Sequence, residues 1–401
     1  MATTRVVLAS ADGHVGPTTE DFRDHLEERH HAAFDEFLAT HRYRWTPERE
    51  ESFFRPSTRD AMRSHRRHQD GGMASLHDPH RRLRELDQDG VAVEVLFADD
   101  QNLNTPPWLA GIAPQAFDAT IHPGELRLAG ARAYNRWLAG FCSAAPQRFL
   151  GMITVGSLHD VDEAVAELER ASQDGLTAGV MLPLDYYLPL YHHRRYDPFW
   201  AACVDLDLTV TVHAGTGGPD WYGDGLRGSA VYLAELNMFA QRPLWCLILG
   251  GVFDRFPGLR VVFTEQGSSW VPGLLARLDG VASSNRMRWT DEEPLAMAPS
   301  EYFHRHCFVG NSLMTPQDVA EREQVGLDVL MWGSDFPHLE GAWPETAGRV
   351  RTLFAGVPEA EARAVLGDNL VRAYRLDRAA VEAIAETIGP TPDDVGLTPS
   401  R

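Results

Sequence analysis

Val6-Val-Leu-Ala-Ser-Ala11 runs directly into Asp12-Gly-His14, and the reading of this stretch decides the fold. The run is short and almost wholly apolar, as a strand buried on both faces should be. Seven further runs of the same character follow: Val91–Phe97, Phe149–Val155, Gly179–Leu182, Leu208–Val212, Arg260–Thr264, Cys307–Val309 and Val329–Gly333. Stretches of helical spacing lie between them. Asp78 to Asp89 sets Leu83 and Leu86 on one face, and Val161 to Asp174 places Val161, Val165 and Leu168 together, with acids near its start. Asp197 to Leu206 and Val271 to Ala282 read similarly. Strand–helix alternation predicts a parallel sheet. Eight such units predict a closed (β/α)8 barrel, the TIM-barrel form of α/β fold, rather than an open doubly wound sheet.

The 401 residues are read as one barrel domain over 1–388 with additions. Residues 16–77, between the first two strands, are polar and rich in Arg and His, and a segment this long is expected to be a partly helical lid. Residues 357–388 read as terminal helices that pack Val365, Leu366, Leu370, Tyr374 and Leu376 back onto the barrel. The tail 389–401, with three prolines, is expected to be loose.

With 44% hydrophobic and 23% charged residues the chain is too apolar to be disordered. Its formal charge of −20 opposes nucleic acid and anionic lipid alike, so neither is expected as a partner. The bland reading of that acidity is solubility. Every basic residue is Arg, which excludes a Schiff-base lysine, a phosphate-loop lysine and a carbamylated-lysine metal bridge. Cys142, Cys203, Cys246 and Cys307 are far apart, with neither zinc-knuckle nor disulfide-framework spacing. No signal-like apolar stretch opens the chain, and the longest apolar run, Leu244 to Phe253, is about half a membrane span, so a cytoplasmic protein is expected.

Candidate chemistry gathers where strands end. Residues two apart in extended backbone project to one side, so Asp12 and His14 are placed to grip one ion. The fifth strand ends at His213, the sixth at Glu265, the eighth in Ser334-Asp335-Phe-Pro-His338. Around a barrel the carboxyl ends of strands meet at one mouth, which brings these distant residues together. Each alone has a plainer account: a histidine held by a hydrogen bond, Asp335 as a helix cap, Glu265 in an ion pair with an Arg. The plain accounts weaken jointly, because four strand ends all deliver ligand-type residues. The six candidate metal ligands are therefore Asp12, His14, His213, Glu265, Asp335 and His338. Other motifs carry less. Gly215-Thr-Gly-Gly218 lacks the glycine spacing of a dinucleotide loop. Arg63, His65, Arg66, Arg67 and His68 read as a solvated face before an anion site. Trp108, Trp221 and Tyr222 are equally readable as pocket lining and as packing.

Taken together, Asp12-Gly-His14, Tyr196-Asp-Pro-Phe-Trp200, His213, Phe253-Asp-Arg-Phe-Pro-Gly-Leu-Arg-Val-Val262, Trp332-Gly-Ser-Asp335-Phe-Pro and Leu366-Gly-Asp-Asn369 resemble the amidohydrolase-related family that contains aminocarboxymuconate-semialdehyde and resorcylate-type decarboxylases. The resemblance spans nearly the whole chain. It implies a (β/α)8 barrel with a divalent metal in its mouth, and His14, His213 and Asp335 match its ligand positions. Three departures stand out. Asp12 replaces the first histidine of a common His-x-His, Glu265 stands where the decarboxylases carry a catalytic histidine, and His338 replaces an apolar residue. Three histidines and three carboxylates exceed one tetrahedral zinc, so two ions are expected, with Glu265 bridging and Asp335 as a further catalytic residue. Mixed imidazole and carboxylate ligation favours iron, with zinc or manganese also accommodated. The same ligand types resemble the non-heme di-iron hydroxylase of platensimycin-type diterpenoid biosynthesis. The leading expectation is therefore an O2-dependent di-iron hydroxylase (a monooxygenase) of a small organic substrate, fed by an external electron donor. The alternative is a two-metal hydrolase; a non-oxidative decarboxylase ranks below it because the sixth-strand histidine is missing. A homodimer is compatible with the sequence.

Overall fold

The computed structural model describes residues 5–41, 72–98, 106–109, 124–184, 188–214, 226–284, 294–338 and 341–397. The eight expected runs all form strands: β1 (Leu8–Ser10), β2 (Val91–Ala98), β3 (Phe149–Thr154), β4 (Gly179–Met181), β5 (Thr209–His213), β6 (Val261–Thr264), β7 (Cys307–Asn311) and β8 (Leu330–Trp332). They lie in chain order and every neighbouring pair is parallel, as in a (β/α)8 barrel. A two-residue strand, His14–Val15, continues β1 past Asp12-Gly13 and pairs with the end of β2. β8 meets β1 through single contacts: Ala11 N–H donates to Trp332 O (2.9 Å), Asp335 N–H to Asp12 O (3.1 Å) and His14 N–H to Phe336 O (2.8 Å). This seam closes the barrel where the first and last ligand-bearing turns meet.

The helices form where the local chemistry asks for them. Pro79–Asp89 starts on Asp78, whose carboxylate accepts from the N–H groups of His80 and Arg81, and ends on Gly90 at φ +78°. Val161–Gln173 is capped by Asp160. Asp197 of Asp197–Asp205 is bound by Arg255 (2.9 Å), which joins two of the stretches that carry the family resemblance. The long helix Leu226–Leu249 was not singled out by its sequence pattern, because its apolar residues lie on all sides.

The chain after residue 357 closes the amino end of the barrel. Asn369 donates to Leu327 O (2.8 Å) and Leu330 O (2.7 Å), and Ala373 O accepts from Thr209 of β5. Gly367 lies so close to Val7 that any side chain there would press on its backbone. The tail read as loose is held as far as Leu397: Val6 N–H donates to Pro390 O, Arg351 binds the carbonyls of Asp393 and Asp394, and Val395 is buried. Hydrogen bonds to backbone carbonyls and the buried Val395 and Leu397 seat it. Of the expected lid, residues 42–71 lie outside the described residues, and so does the Arg63–His68 cluster. The described part begins with short helical turns and the helix His31–His41, whose Phe34 and Phe37 pack on Trp108. Trp108 thus serves packing; Trp221, Tyr222 and Gly215–Gly218 are outside the described residues.

Candidate metal centre

The six residues singled out at strand ends stand together in the barrel mouth. Ligand atoms fall into three overlapping triads, each within 4.8 Å: Asp12, His14 and His213; His14, Asp335 and His338; Asp12, Glu265 and Asp335. Asp12 Oδ1 lies 3.3 Å from His213 Nε2 and 3.4 Å from His14 Nε2. Asp335 Oδ1 lies 3.2 Å from His14 Nε2 and 2.9 Å from His338 Nδ1. His213 Nδ1 is 3.5 Å from Glu265 Oε2.

Backbone and neighbours aim these groups. His14 Nδ1 lies 3.1 Å from Ala98 O and His213 Nδ1 2.6 Å from Ala214 O. With those nitrogens taken by carbonyls, both rings turn Nε2 inward, the orientation that metal-bound histidines need. Asp335 and Glu265 both leave their strands in the left-handed region, at φ +54° and +61°. For residues other than glycine this costs on the order of 1–2 kcal/mol each, and such strain collects at functional sites. Glu265 N–H is held by Gly310 O (2.9 Å).

The electrostatics are those of a cation site. Burial works against the charge of Asp12, but His213 and His14 outweigh it and hold the carboxyl well below its usual range. Burial likewise opposes a charged His14, yet Asp12 and Asp335 hold it well above the histidine range. His213 is raised in the same way by Asp12 and Glu265. Glu265 is pushed up to about 8 by burial and then by the charge of Asp335. Three carboxylates thus share one dry space, and protons hold the place of positive charge. Among the described residues, neither carboxylate oxygen of buried Asp335 accepts a hydrogen bond, and His14 Nε2 is close to two carboxylates without hydrogen-bond alignment to either. Buried polar atoms left in that condition fit a metal ion.

Several contributors escaped the sequence reading. The Ser312 hydroxyl donates to Asp12 Oδ2, and Ser10 and Ser334 hold the backbone of Asp12. Hydroxyl residues leave no spacing signature. Arg82 and Glu94 pair behind the site at 2.7 Å, both wholly buried. Glu94 did carry a signal, as the one charge inside the apolar run of β2; Arg82, on an ordinary-looking helix, carried none.

The fold and this donor cluster define a parallel barrel with a candidate metal centre at its carboxyl-terminal mouth. The chain belongs to the amidohydrolase family, whose profile matches residues 78–376. It is 27% identical over 333 residues to gamma-resorcylate decarboxylase of Rhodococcus jostii, covering 74% of this chain and 87% of that one. A 2-amino-3-carboxymuconate-6-semialdehyde decarboxylase of Dictyostelium discoideum is 26% identical over 208 residues, half of each chain. Among solved structures, 5-carboxyvanillate decarboxylase of Sphingomonas paucimobilis superposes with TM-score 0.65 at 23% identity, covering 93% of this chain and all of that one. A dihydroxybenzoic acid decarboxylase of Polaromonas, solved with manganese and 2-nitroresorcinol, superposes with TM-score 0.57 at 17% identity, covering 94% and 99%.

These relatives overturn the expectation of an O2-dependent di-iron hydroxylase, and the external electron donor goes with it. They are decarboxylases, not monooxygenases. The hydroxylase reading rested on ligand types alone, and imidazole with carboxylate serves redox-inert divalent ions equally well. Among the described residues, no helix is long and apolar enough to cross a membrane.

Proposed function

We propose that this chain is a divalent-metal-dependent, non-oxidative decarboxylase of a hydroxylated aromatic acid. The observation that carries the reading is the buried set Asp12, His14, His213 and Asp335, with neither oxygen of Asp335 accepting an aligned hydrogen bond among the described residues, on a barrel with a curated relative that is a decarboxylase and matches over most of both chains. These four residues would hold the ion, and manganese, present in a similar barrel, is the metal we favour. When bound, the ion supplies a positive anchor for substrate oxygens beside the bond to be broken.

Glu265 is assigned the proton. Its side chain is 11% exposed, whereas those of Asp12, His14, His213, Asp335 and His338 are at most 5% exposed, so it stands on the substrate side. In the metal-free site burial and the charge of Asp335 push it up to about 8, which favours the protonated form there. As the bond from ring to carboxylate breaks, its electron pair stays on the ring carbon and takes up that proton. Carbon dioxide leaves, and Glu265 regains a proton from water. A carboxylic acid would do here what the family resemblance implies for a histidine at this strand end.

A second reading has its own support. Three overlapping triads offer more donors than one ion needs, which favours two ions, a bridging Glu265 and a hydrolase that generates hydroxide. One experiment separates the two. Manganese-loaded protein, kept anaerobic, is given 2,6-dihydroxybenzoate, 5-carboxyvanillate and related acids, and carbon dioxide and the ring product are quantified. We expect equal amounts of both and one metal per chain. Two metals per chain, no carbon dioxide from any acid, and cleavage of an amide or ester panel would establish the hydrolase instead.

A further inference from the structure

Arg82 and Glu94 are both wholly buried, and no step proposed above uses either. A buried ion pair is a weak source of stability, because removing two charges from water offsets most of their attraction. Its geometry has to be explained by what else it holds. Arg82 Nε and Nη2 fork onto Glu94 at 2.8 and 2.7 Å. Nη1 then donates to His14 O (3.1 Å) and Nη2 to Phe336 O (2.9 Å). The guanidinium also lies over the Phe336 ring, 4.1 Å from its centre.

Those two carbonyls lie on opposite sides of the barrel seam. One belongs to His14 itself. The other belongs to the residue directly after Asp335 and two before His338. Phe336 O also accepts the N–H of His14, so one carbonyl and one guanidinium tie both turns together. Gly13 completes the fit. It bridges Phe336 across the seam, and a side chain at Gly13 would strike both Glu94 and Arg82. The pair therefore fills the space behind the ligand turns that glycine leaves open.

We infer that Arg82, oriented by Glu94, is a positioning residue that sets the spacing between His14 and the Asp335–His338 turn, and so tunes the affinity of the metal centre. The inference rests on the proposed ligand set. Arginine is required because only its planar fork serves a carboxylate and two carbonyls at once; lysine keeps the charge but not the fork. Orienting groups behind metal ligands are commonly worth 10- to 100-fold in affinity.

The test measures Mn2+ binding by titration calorimetry on metal-stripped, full-length protein, alongside thermal melting of the metal-free forms. The variants are Arg82→Lys, the apolar pair Arg82→Met with Glu94→Met, and Asp335→Asn. We expect Asp335→Asn to abolish binding. The apolar pair should melt close to the parent, since no unpaired charge is left buried, yet bind Mn2+ at least 10-fold more weakly. Arg82→Lys should also weaken binding at least 10-fold, and it carries the test if the apolar pair does not fold. Parent-like affinity in either folded variant overturns the inference while leaving the metal centre intact. A parent protein that binds no Mn2+, or binds it equally with Asp335→Asn, overturns the metal centre and this inference together.

Discussion

Glu265 separates the two functional readings at the level of one side chain. Glu265→Gln keeps the shape and removes the proton. If Glu265 protonates the ring carbon, kcat falls by about 10²- to 10⁴-fold while Mn2+ affinity stays within a few-fold. If it bridges two ions, the same change costs one metal per chain, read directly by elemental analysis. The pH profile gives an independent check. A proton donor loses its proton as pH rises, so kcat should decline on the alkaline side, at a pH that burial and Asp335 raise and the bound cation lowers, and the Gln variant's residual rate should lack this limb. Glu265→His, which installs the residue type that the family resemblance implies there, should recover part of the lost rate. That these six side chains gather at one mouth was legible in the sequence, because each ends or closely follows a strand and ligand-type residues at four strand ends are hard to explain separately. Their helpers were not. Ser312 donates to Asp12 from 300 positions away, and nothing in a serine announces a partner.

The strands were legible because burial on both faces leaves continuous apolar runs, whatever the surrounding helices do. Helices with a wet face, such as Pro79–Asp89, were legible too, while Leu226–Leu249 was hidden because its apolar residues fall on all sides. What the pattern could not supply was how elements lock together, since that depends on pairs formed only in three dimensions. Asp89 is an example with a measurable consequence. It ends its helix and accepts from the N–H (3.2 Å) and hydroxyl of Thr346 at the start of Thr346–Leu353. Burial pushes it up to about 6, with the Thr346 hydrogen bonds opposing. Its folded pKa exceeds the unfolded value of about 4, so the folded state holds this proton more tightly and stability is lost as pH rises from about 4 through about 6. Asp89→Asn removes that dependence. Relative to the parent, the variant should gain stability between pH 4 and pH 7, by at most about 2–3 kcal/mol, in paired denaturant melts. A constant difference across that range would show that Asp89 titrates normally.

At the scale of the molecule, the four proposed ligands come from the ends of β1, β5 and β8, so an ion would bind the closed barrel and not the unfolded chain. Mn2+ at a hundredfold excess over its dissociation constant should stabilise the protein by about 3 kcal/mol, and chelation should reverse the shift in melting temperature. An unchanged melting temperature, with binding shown calorimetrically, would mean that the seam does not limit unfolding. The seam also sets an order of events during synthesis. Asp12 and His14 leave the ribosome first, and Asp335 follows more than three hundred residues later. At ordinary elongation rates that delay is on the order of tens of seconds. Through that interval the nascent chain displays part of a chelating site with no last stave to complete it. Firm capture of the ion would therefore wait until the Asp335 turn has been made and the seam has closed.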